Sequence, residues 1–224
     1  MPSTKNARNS FIFQDKNKLL KELSSKIYTD DEIKEFRLDE AINDHPLARR
    51  PVNIRSKLAY KEILNNVKPT TKYLLPGQCV LFNYAYPKYI DELEYYDATP
   101  FTIFFGLIRT KQNTIREVGI NLHYFPPYAR ERVMNAIYVT FSQYFNKYFN
   151  TPSEKPTPFI TYKALKAINR NKKIAFALKM YVPVNRGKTF VVPTRLLPTC
   201  YYTEGHFSKA TMQQIFRFWR SFRR

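Results

Sequence analysis

Two stretches decide the fold class: Pro100-Phe101-Thr102-Ile103-Phe104-Phe105-Gly106-Leu107-Ile108-Arg109 and Ile115-Arg116-Glu117-Val118-Gly119-Ile120-Asn121-Leu122-His123-Tyr124-Phe125. Both are aromatic and β-branched runs bounded by Pro, Gly or Asp, the composition of strands. Lys111-Gln112-Asn113-Thr114 between them predicts a hairpin turn. A third run, 78–86 (Gln-Cys-Val-Leu-Phe-Asn-Tyr-Ala-Tyr), has the same character, so a small twisted antiparallel sheet or open barrel is expected over 78–125. Working outward, Pro126-Pro127 ends the last strand and pre-sets a long helix over 127–149. Its Met134, Ile137, Tyr138, Phe141, Tyr144, Phe145 and Tyr148 recur at three- and four-residue steps, which makes them a core or subunit-contact stripe.

Before the sheet, residues 1–10 read as a polar arm, and helices are expected at 16–27, 30–42 and 54–66, the last with Ile54, Leu58, Ile63 and Leu64 facing inward. After the long helix, the proline-rich connector 151–158 separates a basic region. There, 159–170 reads as a helix and 174–182 as a strand, with Ile174, Phe176, Leu178, Met180 and Val182 alternating, although a helix is a rival for that segment. Val184–Lys188 reads as a basic turn and Thr189–Val192 as the second strand. Ser208 caps a terminal helix over 209–222, with Met212, Ile215, Phe216 and Trp219 on one face. The fold class is therefore α+β. Three regions follow: 1–72 (arm and helices), 73–150 (sheet and long helix) and 151–224 (basic α/β extension).

The chain has 224 residues, 44% of them hydrophobic and 16% aromatic, which is enough for a sizeable core and too apolar for charge-driven disorder. No apolar run is long enough to span a membrane, and none follows the N-terminus as a signal peptide requires, so cytoplasmic synthesis is expected. Cys79 and Cys200 are isolated in apolar surroundings and read as buried thiols. His45, His123 and His206 lack ligand-like neighbours and read as structural. Asp91, Glu92, Glu94 and Asp97 form an acidic cluster, but no acid-x-Lys arrangement follows to make it a metal nuclease site, and a solvated acidic loop is the expectation. Phosphate-cradling glycine loops and nucleophile elbows are missing. No catalytic residue, metal site or cofactor is assigned.

Charge points to a partner. Lys and Arg total 37 against 18 acids, a net +19, and residues 161–224 hold Glu204 as their single acid. Three basic groups stand out there: Arg170, Lys172, Lys173 and Lys179; Arg186 and Lys188; and Arg217, Arg220, Arg223 and Arg224. Such cations neutralise phosphates and release counterions without reading sequence. DNA heads the list of partners, an acidic protein ring comes second, and Trp219 is read as core rather than as a base-stacking residue.

Finally, Tyr95-Tyr96-Asp97-Ala98-Thr99-Pro100 followed by Gly119-Ile120-Asn121-Leu122-His123-Tyr124-Phe125-Pro126-Pro127 resembles the DNA end protector, or head-completion, family of T-even-type phages. The resemblance covers about residues 76–140. It implies a non-enzymatic virion protein at the end of packaged double-stranded DNA, near the portal or neck, among other portal or tail proteins and in a homo-oligomeric ring. Within the motif it implies structural roles: Asn121 and His123 on one strand face, and Tyr95, Tyr96 and Asp97 ordering the preceding connection. A soluble DNA-binding or metal-dependent DNA-processing protein is the alternative.

Overall fold

A computed structural model of the chain describes residues 52–70, 73–85, 96–148, 155–207, 215–217 and 219. The expected helices at 16–27 and 30–42, His45, the acidic residues 91–94, Tyr95, Arg220, Arg223 and Arg224 lie outside these residues. Among the described residues the order is α1 (Val52–Asn66), β1 (Cys79–Tyr84), β2 (Phe101–Arg109), β3 (Ile115–Asn121), α2 (Pro127–Thr140), α3 (Ser142–Phe145), α4 (Tyr162–Arg170), β4 (Leu178–Tyr181), β5 (Arg186–Val191) and α5 (Leu197–Cys200), with short 3-10 turns between. No described helix is long and apolar enough to cross a membrane.

The five strands form one antiparallel sheet in the order β4-β3-β2-β1-β5. The α+β reading holds. The barrel alternative does not: β4 and β5 remain the two ends of the order and are not paired. They also do not form the hairpin that a turn at 184–188 implies. Arg186 already belongs to β5, and β5 pairs with β1, Val80 opposite Val191 and Leu81 opposite Phe190.

The sheet must nevertheless curl. Only Val182–Asn185 joins β4 to β5, and its Pro183–Asn185 segment is a 3-10 turn. Fully extended, that link reaches about 17 Å, whereas four gaps in a flat sheet span roughly 19 Å. Tyr181 of β4 accordingly touches β1, its ring 5.1 Å from Phe82 and 5.2 Å from Tyr84.

Alternation then divides the core in two. On one face Cys79, Leu81, Phe101, Ile103, Phe105, Val118, Ile120 and Phe190 pack under the helices. The concave face holds Val80, Phe82, Tyr84, Phe104 and Tyr181, together with Leu74 and Tyr96. The period-two logic of a pleated strand produces this sorting.

Helices and turns show where local pattern yields to packing. In α1 the residues that reach the core are Ala59 and Ile63; Ile54, Leu58 and Leu64, expected to face inward, are exposed, and the helix packs on α5. The aromatic stripe expected over 127–149 is core, but the long helix ends at Thr140: Phe141 leaves helical geometry at φ −108° before α3 resumes. A 3-10 turn at Ala175–Ala177 shortens the strand expected from 174, so Tyr181 is buried while Met180 is half-exposed. Pro127 starts α2 as expected, and the expected β2–β3 hairpin turn forms with Asn113 at φ 62°. Ile215, Phe216, Arg217 and Trp219 are helical; Ile215 is buried and the Trp219 indole donates to the Tyr124 carbonyl at 3.2 Å, whereas Phe216 is exposed.

Candidate functional site

Asp97 is not part of a solvated acidic loop. It is 5% exposed and accepts four hydrogen bonds: Oδ2 from Asn121 Nδ2 (2.9 Å) and His123 Nδ1 (2.8 Å), and Oδ1 from the Thr99 amide (3.1 Å) and the His206 amide (3.0 Å). Sequence reading missed this because a carboxylate at the end of an acidic run ordinarily faces water. Asn121 closes β3 and its Oδ1 accepts the His123 amide, capping the turn Leu122–Tyr124 that brings His123 back toward Asp97. Gly119 allows the strand to lie against β2, since a Cβ there would collide with the Thr102 side chain.

On the far side, His123 Nε2 lies 2.9 Å from Thr203 Oγ1, and that hydroxyl donates to the Cys200 carbonyl at 2.7 Å. Burial would raise the Asp97 pKa, yet the His123 ring and the other donors hold the carboxyl below its ordinary range. Burial pushes His123 down, against the pull of Asp97 and with help from Arg130 and His206. The Asp-His-Thr chain has the shape of a hydrolytic relay. Thr203 and His123 are nevertheless fully buried, and Phe101 and Phe207 flank the imidazole. The relay ties β3 to the segment Thr203–Phe207.

Arg130, with no exposed surface, completes this junction. Its Nε donates to the Leu122 and Phe125 carbonyls (3.1 and 3.0 Å) and its Nη1 to those of Tyr201 (2.7 Å) and Thr203. Burial lowers its pKa to about 10. Arg132, two residues on, is exposed. Nothing local in the sequence separates the two. The thiols of Cys79 and Cys200 are free and buried; burial pushes Cys79 up to about 11. No group of His, Cys, Asp and Glu among the described residues is arranged to hold a metal ion.

Tyr96, Asp97, Asn121 and Tyr124 also line a cleft of about 190 Å³ with Arg116 and Lys179. Several of their polar groups are hydrogen-bonded within the protein. Tyr96 donates to the Tyr84 carbonyl at 2.7 Å, and Lys179 donates to the Phe176 carbonyl at 2.8 Å with its Nζ 4.2 Å above the Tyr124 ring.

The basic residues divide into tied and exposed sets. Arg186 pairs with buried Glu117 at 3.0 Å, and its Nη1 donates to Thr189, so it supports the curled sheet. Lys179 is held in the cleft as described. Arg170, Lys172, Lys173, Lys188 and Arg217 are exposed. Helix α4 adds two cations, Lys163 and Lys166, to the three groups drawn from sequence: Ala164 and Ile168 turn inward, while these two lie with Arg170 on the opposite, exposed face. Beside them stand two exposed aromatics, Phe159 and Tyr162, and the exposed cations Arg109 and Lys111 at the β2–β3 end. From residue 155 to 203 the chain carries no acid. This is an electropositive, aromatic surface on a rigid scaffold, with the chemistry to engage a phosphate backbone.

Neither a curated protein nor a solved structure matched the chain. The model of the family described as Phage T4 terminal DNA protecting protein matches residues 8–191, a span that contains the whole sheet and ends on the last residue of β5. With most of its length matched, and with the Tyr-Tyr-Asp and Gly-x-Asn-x-His-Tyr-x-Pro-Pro residues inside that span, the chain belongs to the family of phage terminal DNA protecting proteins.

Proposed function

We infer that this chain is a non-enzymatic virion protein that binds the ends of packaged double-stranded DNA and shields them from exonucleases. It grips the backbone with the exposed cations of α4 and the turn that follows. The observation that carries this is the basic, acid-free segment that contains α4: Lys163, Lys166, Arg170, Lys172 and Lys173 lie exposed within eleven consecutive residues of a family whose described role is terminal DNA protection. The same region would rank as an ordinary solvated surface in a protein of balanced charge. At +19 the chain repels itself, and a polyanion offsets that repulsion. A non-enzymatic role is supported by the burial of the relay-like constellation found among the described residues, whose Thr203 hydroxyl has no exposed surface. In the particle we place it at the head-tail end of the DNA, beside portal or tail proteins; a ring of its own copies is the second assembly.

Exonuclease digestion of linear duplex DNA, with and without the purified protein, tests the reading. Protection is expected, with a steep fall in affinity as salt rises. Changing Lys163, Arg170, Lys172 and Lys173 to Gln should weaken binding uniformly and reduce the salt slope by roughly one counterion per cation removed. Digestion at the same rate with and without saturating protein overturns it. Copy number in nuclease-treated particles then separates a DNA-end position, at one or two copies, from a ring.

A further inference from the structure

We propose that Phe159 and Tyr162 are a stacking platform for the terminal base pair of a duplex DNA end, a proposal that rests on the DNA-end function above. Among the described aromatic residues, most of which are buried, Phe159 is 48% and Tyr162 77% exposed. Each ring also carries a cation over it. The Arg109 guanidinium carbon is 5.9 Å from the Phe159 centroid, and Lys166 Nζ is 5.6 Å from that of Tyr162. Exposed aromatics interleaved with cations are the surface that nucleic-acid bases and their phosphates occupy together.

The backbone beneath both residues is fixed. Phe159 forms a parallel bridge to Leu107, with Leu107 N donating to the Pro158 carbonyl at 2.9 Å and Ile160 N to the Leu107 carbonyl at 2.8 Å. This docking needs Gly106: it sits at φ 132°, and a Cβ there would lie 2.7 Å from the Pro158 oxygen. Tyr162 opens α4, whose first turn is capped by Thr161 Oγ1 accepting the Ala164 amide at 3.2 Å. The two side chains are thus presented on structure built to hold them, which lowers the ordering cost of contact.

What distinguishes a DNA end from every internal position is one uncovered base-pair face. An aromatic ring stacks on that face whatever the base, because every base has one. Lys163, Lys166, Arg109 and Lys111 then meet the phosphates nearest the end. Cation contacts alone favour an end no more than an interior, so the platform is what supplies preference for termini without sequence reading.

The test compares one duplex in two forms, open-ended and closed at both ends by hairpin loops, with 2-aminopurine at the terminal pair of the open form. Wild-type protein is expected to quench the 2-aminopurine emission and to prefer the open form. Tyr162→Ala, at an exposed position, should weaken open-end binding roughly 10-fold, abolish most of the quenching and leave the closed form unchanged. Tyr162→Trp should restore all three, and Phe159→Ser should act in the same direction. Unchanged quenching in the Tyr162→Ala, Phe159→Ser double variant overturns the platform, as does equal loss on both forms. Lys172→Gln with Lys173→Gln is the separate probe of the basic face: it should weaken open and closed forms alike. If it does so while the aromatic variants change nothing, the platform fails and the DNA-binding function stands; if it changes neither form, the basic-face reading fails on its own.

Discussion

Asp97→Asn is the substitution whose cost follows most directly from the geometry. The side chain keeps its size, but an amide nitrogen replaces one oxygen in a site that presents only donors. If the nitrogen takes the Oδ2 position it faces Asn121 Nδ2 and His123 Nδ1; if it takes the Oδ1 position it faces the Thr99 and His206 amides. The first arrangement is cheaper, because His123 can move its proton to Nε2, donate to Thr203 Oγ1 and accept at Nδ1. Asn121 cannot adjust in the same way, since its Oδ1 is committed to the His123 amide. The new amide's second N–H and the Asn121 Nδ2 N–H then oppose each other without an acceptor, at about 1–3 kcal/mol for a buried unpaired donor, and the remaining bonds lose their charge assistance. The sum is about 3 kcal/mol, equivalent to a fall in Tm of roughly 6–12 °C for a chain of this size.

Urea denaturation followed by tyrosine and tryptophan fluorescence measures this, and its pH dependence adds a second reading. Asp97 is held below its ordinary value of 3.8 in the folded state, so its contribution is present above that pH and disappears as pH falls through the folded value. His123 lies below 6.5 when folded, so acidification under 6.5 also costs stability, as the unfolded chain takes up the proton first. Glu117, raised by burial above 4.5, acts in the opposite sense: its contribution is present below 4.5 and is lost as pH rises through its folded value. That term is common to both proteins and cancels in the difference. The wild type should therefore lose its advantage over Asp97→Asn below about pH 4. A difference under about 0.5 kcal/mol at neutral pH, or one that persists unchanged at pH 3, refutes a carboxylate-centred junction.

Two further substitutions probe the same architecture. Arg130→Met removes every donor from the Tyr201 and Thr203 carbonyls' side of the junction and should cost about 2–5 kcal/mol; urea titration checks it, and a loss below 1 kcal/mol would mean that water replaces the guanidinium. Gly106→Ala should destabilise by about 1–3 kcal/mol, because both the positive φ and the Pro158 carbonyl oppose a Cβ; hydrogen exchange at the Leu107 and Ile160 amides should accelerate, and unchanged protection there would show that the Phe159 segment docks without it.

Strands β1, β2 and β3, their hairpin and the aromatic stripe of α2 were legible in sequence because each is specified by residues close in the chain. The places where the pattern misleads are those set by distant partners. Ile54, Leu58 and Leu64 have helical spacing, but the helix meets the core, α5 included, through Ala59 and Ile63, and the partners that decide this lie more than a hundred residues away. Val184–Lys188 looks like a hairpin turn, yet β5 finds β1 instead of β4. At the candidate site, the cationic character of Arg170, Lys172 and Lys173 shows in composition alone. Lys179 and Arg186 are equally basic and are tied inside the structure by contacts that no local spacing announces. Phe159 and Tyr162 resemble the other thirty-odd aromatic residues until their exposure and the cations over their rings are known together.

The pairing of β1 with β5 has a consequence for synthesis in the infected cell. Val80 cannot meet Val191 until the intervening residues have left the ribosome. At 5–20 residues per second that interval is about 5–20 s, during which one margin of the nascent sheet has no strand to cover it. Such a topology, rich in contacts between distant residues, folds slowly for its size and exposes an adhesive edge while it waits. Shortening the gene product before residue 191 should therefore yield aggregates rather than a smaller working protein, and rapid production at high temperature should do the same to the complete chain.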